Sequence, residues 1–256
     1  MQPELDVGPV ELQTFGLALA LAFIACGTLV ARRLTELGRS PDWAYEALFA
    51  AVAGGLIGAR VDYLIQNRER VSDDLLGAIF SGSGLVFFGG LAGGALGVAL
   101  WARWRGFLGV ALADAVAPAL ALGYAIGRVG CQVSGDGDYG VASDLPWAMA
   151  YPDGSVPTTE QVHPTPIYET LAIGLAALAL WRIRDRVRPG MLIALYLLIA
   201  GVERLLVEFI RRNEAVLAGL TVAQLVSVAM IAVALAWIAL GGGVRSERGL
   251  RPKQAA

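Results

Sequence analysis

Apolar positions fall in seven runs, most near twenty residues long, each closed by charge or by glycine. They cover about Leu12 to Ala31, Trp43 to Ile65, Leu85 to Trp101, Phe107 to Ile126, Pro166 to Trp181, Met191 to Ile210 and Leu220 to Leu240. Twenty helical residues at 1.5 Å each cross roughly 30 Å of hydrocarbon. The pattern predicts an all-α, polytopic integral membrane protein with about seven transmembrane helices, packed as a single membrane domain over residues 1–256. One polar stretch, 128–164, is long enough to be more than a turn, and it is expected to form a loop segment outside the membrane.

Arginines set the orientation. The connections after the first, third, fifth and seventh runs are basic: Arg32, Arg33 and Arg39; Arg103 and Arg105; Arg182, Arg184, Arg186 and Arg188; Arg245, Arg248, Arg251 and Lys253. The N-terminal residues (Glu4, Asp6, Glu11) are acidic, and the connection after the second run is mixed (Arg68, Glu69, Arg70, Asp73, Asp74). The 128–164 stretch sets Asp136, Asp138, Asp144, Asp153 and Glu160 against Arg128 alone. Basic loops stay in the cytoplasm, so the N-terminus and 128–164 are expected outside and the C-terminus inside. Residues 1–11 lack the basic start of a signal peptide. Only Arg211-Arg212 falls on the disfavoured side, which points to a bound partner for that pair.

Composition agrees. The 256 residues are 56% hydrophobic and 16% charged, with a mean hydropathy of +0.61, so the bilayer is the first partner. A net charge of −2 argues against nucleic acid. Two cysteines on separate segments and one histidine make no zinc pattern, and no metal or cofactor is expected.

Several charges lie where hydrocarbon should be: Arg60 and Asp62, then Asp114, then Glu203, Arg204 and Glu208. Each costs about 2.5–3.5 kcal/mol to insert. They line a polar cavity, or they form a salt-bridge network joining the second, fourth and sixth spans. Arg204 and Glu208, four apart on one helix face, are expected to pair. Gly89, Gly93 and Gly97 recur every four residues, as do Gly90 and Gly94, and Gly54 and Gly58 match them in the second span. That spacing makes a smooth face for close helix packing, or a groove for a lipid chain.

The densest chemistry is Gly127-Arg128-Val129-Gly130-Cys131-Gln132-Val133-Ser134-Gly135-Asp136-Gly137-Asp138-Tyr139-Gly140, followed by His163-Pro164-Thr165-Pro166-Ile167-Tyr168-Glu169. An arginine at the edge of hydrocarbon suits a lipid phosphate. It also suits a plain glycine-rich surface loop with a snorkelling side chain.

Taken together, five segments resemble the phosphatidylglycerol–prolipoprotein diacylglyceryl transferase family. Gly127-Arg128-Val129-Gly130, Ser134-Gly135 and Tyr139-Gly140 are similar to its Gly-Arg-x-Gly-Asn signature. The His163–Glu169 stretch is similar to its His-Pro-Ser/Thr-x-x-Tyr-Glu, and Arg204–Arg211 to its Arg-Phe-x-x-Glu-x-x-Arg. Thr221-Val222-Ala223-Gln224 opens the last span as in the family, and Gly89-Gly90-Leu91 and Asp114 match in order. The chain departs from the family where Phe88 replaces a histidine, Phe15 a tyrosine and Cys131 the signature asparagine; the Gly135–Tyr139 link is one residue longer.

The resemblance implies a bacterial inner-membrane enzyme whose active site faces the extracytoplasmic side. It would move the diacylglyceryl group of phosphatidylglycerol to the cysteine thiol of a lipoprotein precursor peptide. Arg128 and Arg204 would clamp the phosphate, Glu208 would fix Arg204 or accept a proton, and His163 is a candidate base. The favoured reading of His163 is a helix-entry residue ahead of Pro164, and Asp136, Asp138 and Glu169 are rivals for the base. Gly89, Gly90, Gly127, Gly130, Cys131, Gly135, Gly140, Tyr168, Glu169, Arg60, Asp114 and Gln224 are the expected substrate contacts. Phe88 and Phe15 open two alternatives, a divergent subgroup with a reorganised site and a paralogue with another acceptor; the intramembrane charge would also suit a transporter. A thiol-redox enzyme would need a partner for Cys131, and Cys26 sits inside the first span.

Overall fold

The computed structural model describes residues 1–8, 10–67 and 86–241. Leu85, the connection charges from Arg68 to Asp74 and the C-terminal Arg245, Arg248, Arg251 and Lys253 lie outside them. Seven long helices account for most of the described chain: α1 Thr14–Glu36, α2 Asp42–Gln66, α3 Phe87–Trp104, α4 Val110–Ser134, α5 Thr165–Ile183, α6 Met191–Glu208 and α7 Val222–Ala239. Each lies on one of the seven apolar runs. By length and composition α1, α2, α4, α5 and α7 are each long and apolar enough to cross a membrane. α6 carries three charges, and five glycines and Arg103 dilute α3. The chain packs as two compact units, residues 27–112 and residues 1–26 with 113–256.

In the unit of residues 27–112, α2 and α3 meet along their glycines. A Cβ on Gly58 would lie 2.8 Å from Gly93 Cα, and one on Gly94 would lie 3.1 Å from the Ala51 carbonyl. A Cβ on Gly89 would collide with the Gly58 carbonyl and Asp62, and Gly90 faces Ala59. The four-residue repeat therefore serves backbone-to-backbone packing, as small residues do between membrane helices. Toward the other end of the pair, Glu46 accepts from Trp101 Nε1 at 2.9 Å and Arg105 Nε at 2.8 Å.

The larger unit is built on α4, α5 and α6. Ala117, Ala121, Ile173, Ala177, Leu180 and Leu192 form its core, and the alanines let the three helices approach closely. α7 packs on α6, where Gly201 sits against the Ser227 carbonyl. Asp114, near the start of α4, accepts from the backbone amides of Gly190 (2.5 Å) and Ile193 (3.0 Å) and so caps the start of α6.

Two short hairpins are added to the helices: β1 Glu4–Val7 with β2 Val10–Gln13, and β3 Met149–Tyr151 with β4 Thr158–Val162. The second hairpin lies within 128–164, where Tyr139 stacks on Tyr151 at 4.8 Å above buried Val162. The boundary expected at 127 is corrected. α4 continues to Ser134, so Gly127, Arg128, Gly130 and Cys131 are helical rather than loop residues. Gly130 is tolerated there because Ala18 and Phe15 pack against it. The helix stops at Gly135, whose φ of +61° and N–H to the Cys131 carbonyl (3.0 Å) make a left-handed cap.

Candidate active site

Three arginines converge in the larger unit where α4 and α6 end and α5 begins. Glu169, in the first turns of α5, is fully buried and lies at their centre. It pairs with Arg128 Nε at 3.1 Å, Arg204 Nη1 at 2.9 Å and Arg211 Nη1 at 3.4 Å. The Tyr124 hydroxyl donates to it at 2.8 Å. On the outer side Asp138 binds both Arg128 and Arg211. Glu208 pairs with Arg204 at 3.2 Å and accepts from Asn213 and Thr221, each at 2.7 Å. Three guanidiniums are thus set by three carboxylates, and the side chain of Asp138 is 32% exposed while those of Glu169 and Glu208 are at 0%. Burial alone would raise the Asp138 carboxyl, but the Arg128 and Arg211 guanidiniums outweigh it and hold it below the usual carboxylate range.

Comparison with known proteins settles the family. The family model described as prolipoprotein diacylglyceryl transferase matches residues 4–240. The chain belongs to the prolipoprotein diacylglyceryl transferase family. It is 36% identical to the phosphatidylglycerol–prolipoprotein diacylglyceryl transferase of Chromohalobacter salexigens, over 93% of this chain and 92% of that one. The namesake from Dehalococcoides mccartyi is 32% identical over 90% of this chain and 89% of its own, and that of Clostridium tetani 29% over 82% and 86%. With its long apolar helices, the chain is a multi-pass membrane protein.

The structure gathers Arg128, Arg204, Glu208 and Glu169 into one cluster, with Arg204 and Glu208 paired as their spacing predicts. The network joins α4, α5 and α6; Arg60, Asp62, Gly89 and Gly90 belong to the unit of residues 27–112, where Asp62 accepts from Gln66 and Arg60 lies over Tyr63. Arg211 and Arg212, singled out by their disfavoured side, are both bound: Arg211 as above, Arg212 to the Gly140 carbonyl at 2.9 Å and Glu160 at 3.2 Å.

Other expected contacts have local partners. Gln224 forms a capping box with Thr221, whose hydroxyl reaches Glu208, so it positions that acid. Asp114 sits fourteen residues before Arg128 on the same helix, about 21 Å away along its axis. Gly140 packs against His163 and Thr165, and Gly135 against Gly154, while a side chain on Gly127 would meet nothing within 4 Å. His163 Nδ1 lies 3.3 Å from the Tyr168 hydroxyl, which accepts from Trp147 at 2.8 Å. Cys131 is buried with its Sγ 3.7 Å from Arg128 Nη1. Cys131, Asp136 and Asp138 bring ligand atoms within 4.8 Å of one another, but a cation there would compete with two guanidiniums for Asp138. Sequence reasoning missed Tyr124, a tyrosine within an apolar run with no signal of its own. It passed over Asp138 as an arginine partner, because the contact to Arg211 closes 73 residues of chain.

Proposed function

We propose that this chain transfers the diacylglyceryl group of phosphatidylglycerol to the cysteine thiol of a lipoprotein precursor, at the extracytoplasmic face of the bacterial cytoplasmic membrane. The observation that carries the reading is the convergence of Arg128, Arg204 and Arg211 at the end of three apolar helices. A lipid phosphodiester entering there meets guanidiniums already oriented by Glu169 and Glu208, and Asp138 marks the open side. The peptide sulfur attacks the glyceryl carbon, the C–O bond breaks, and glycerol phosphate leaves. Negative charge on that phosphate grows as the bond breaks, so fixed cations bind the transition state more strongly than the lipid. Arginine suits the task because its planar fork matches two phosphate oxygens. The sulfur comes from the peptide, so Cys131 is not required as a nucleophile.

The test is incubation of purified protein with labelled phosphatidylglycerol and a cysteine-containing lipobox peptide, followed by mass spectrometry of the peptide. The peptide should gain the diacylglyceryl mass. Arg128→Ala and Arg204→Ala should each abolish the gain while the protein still inserts, and Arg→Lys should recover little. If both alanine variants keep wild-type turnover, the site lies elsewhere.

A further inference from the structure

Among the described residues of the larger unit, Glu203 stands apart. Both its carboxylate oxygens are buried and accept no hydrogen bond. It lies on α6, just after Ile199 and Ala200, which pack against the apolar core, and just before Arg204. The charges and titratable groups facing it are Tyr124 and Arg128 of α4, Glu169 of α5, Arg204 of its own helix and Arg211 beyond it. α7, packed on the same helix, carries no ionisable side chain. Arg128, Arg204 and Arg211 each bridge two acids, and Glu169, Asp138 and Glu208 account for all three. Glu203 is the fourth acid in a set whose charges already balance.

A buried carboxyl without a partner is expensive, and at membrane depth it marks function more often than architecture. The reaction has an unassigned proton: the thiol must lose one as sulfur bonds to carbon, and a free thiol near pKa 8.5 gives it up poorly. Glu169, Asp138 and Glu208 would each have to break ion pairs to take it. His163 is turned to Tyr168, whose hydroxyl lies 3.3 Å from its Nδ1. Glu203 alone in this cluster gains a proton without losing a bond.

We propose that Glu203 is the proton acceptor for the incoming cysteine thiol, an assignment that rests on the transfer reading above. The S–H proton passes to a Glu203 oxygen, and the sulfur pair forms the S–C bond. The C–O electrons leave on glycerol phosphate, which the arginines hold. Glu203 then returns the proton to the departing phosphate or to water. No further reactant is needed.

The experiment compares two acceptor peptides, one with cysteine and one with selenocysteine, whose selenol ionises without help. Wild type, Glu203→Gln and Glu203→Asp are assayed across pH with phosphatidylglycerol, and lipid binding is measured separately. Glu203→Gln should keep lipid binding, lose about a hundredfold in kcat on cysteine peptide, lose its dependence on pH, and recover most of its rate on selenocysteine peptide. Glu203→Asp should give a selenocysteine-to-cysteine rate ratio between those of wild type and Glu203→Gln. Equal losses on both peptides, a loss under tenfold on cysteine, or a wild-type ratio for a slowed Glu203→Asp would each overturn the proposal. An Arg128→Ala variant with intact lipid binding and turnover would instead sink the transfer site, a result no Glu203 variant can produce.

Discussion

Glu169 holds together groups that would otherwise repel. Three guanidiniums and a phenol surround its two oxygens at 0% exposure. Removing one partner of a buried ion pair typically costs about 3–5 kcal/mol, because the charges left behind are uncompensated. Glu169→Gln keeps the shape and deletes the charge. It is expected to lower the thermal midpoint clearly and to remove turnover, since Arg128 and Arg211 would keep only Asp138 as an acidic partner and Arg204 only Glu208. Thermal unfolding in detergent, with the transfer assay alongside, checks this; an unchanged midpoint would mean that the arginines hold themselves apart. At this scale the sequence was partly readable. Arg204 and Glu208 could be paired from spacing alone, and Arg211 was flagged by the cost of its location. Tyr124 and Asp138 could not be placed, because a contact closed by tertiary packing leaves no local pattern.

Among the elements, the helices were legible because hydrocarbon thickness dictates their length and glycines at every fourth position dictate their seam. The end of α4 was misread, since five glycines between 127 and 140 look like a loop when the packing of Gly130 on Phe15 and Ala18 is unknown. The hairpin β3–β4 escaped notice because its strands are three and five residues long and lack apolar alternation. The segment from Gly135 to Val162 is clasped to α4 and to the end of α6 through Asp138. Its carboxyl is held below the ordinary aspartate value of about 3.9. A lowered folded value means the clasp contributes fully above that pH and is lost as pH falls through the lower folded value. Protection of the 135–162 amides against hydrogen exchange, taken relative to their free-chain rates, should therefore fall below about pH 4, and in Asp138→Asn it should already be low at neutral pH and change less on acidification. Identical exchange in both proteins would show that the segment is held by its tyrosine stack instead.

For the whole molecule, the membrane is the frame on which the chemistry is hung. In the orientation proposed from the alternation of basic and acidic connections, the cluster of Arg128, Arg204 and Arg211 would lie at the outer edge of the bilayer and Arg182 to Arg188 at the inner edge. A cysteine introduced at Asp153 should react with an impermeant thiol reagent in intact cells, and one at Arg186 only after permeabilisation. Labelling of position 153 from the cytoplasmic side alone would remove both the orientation and the transfer reading, because the proposed reaction takes its cysteine from the outer side.

The cap that Asp114 places on α6 sets a height. Asp114 and Arg128 are fourteen residues apart on α4; Gly190, which donates to Asp114, and Arg204 are also fourteen apart. Two helices thus leave a common origin and deliver their arginines to Glu169 after the same count, about 21 Å further on. The gauge that levels the two guanidiniums is kept at the opposite end of the two helices, so the tolerances of the proposed site are set about 21 Å away from it. Lengthening either arm by one residue would turn its arginine through about 100° and lift it by about 1.5 Å, leaving every side chain present and the pair out of true.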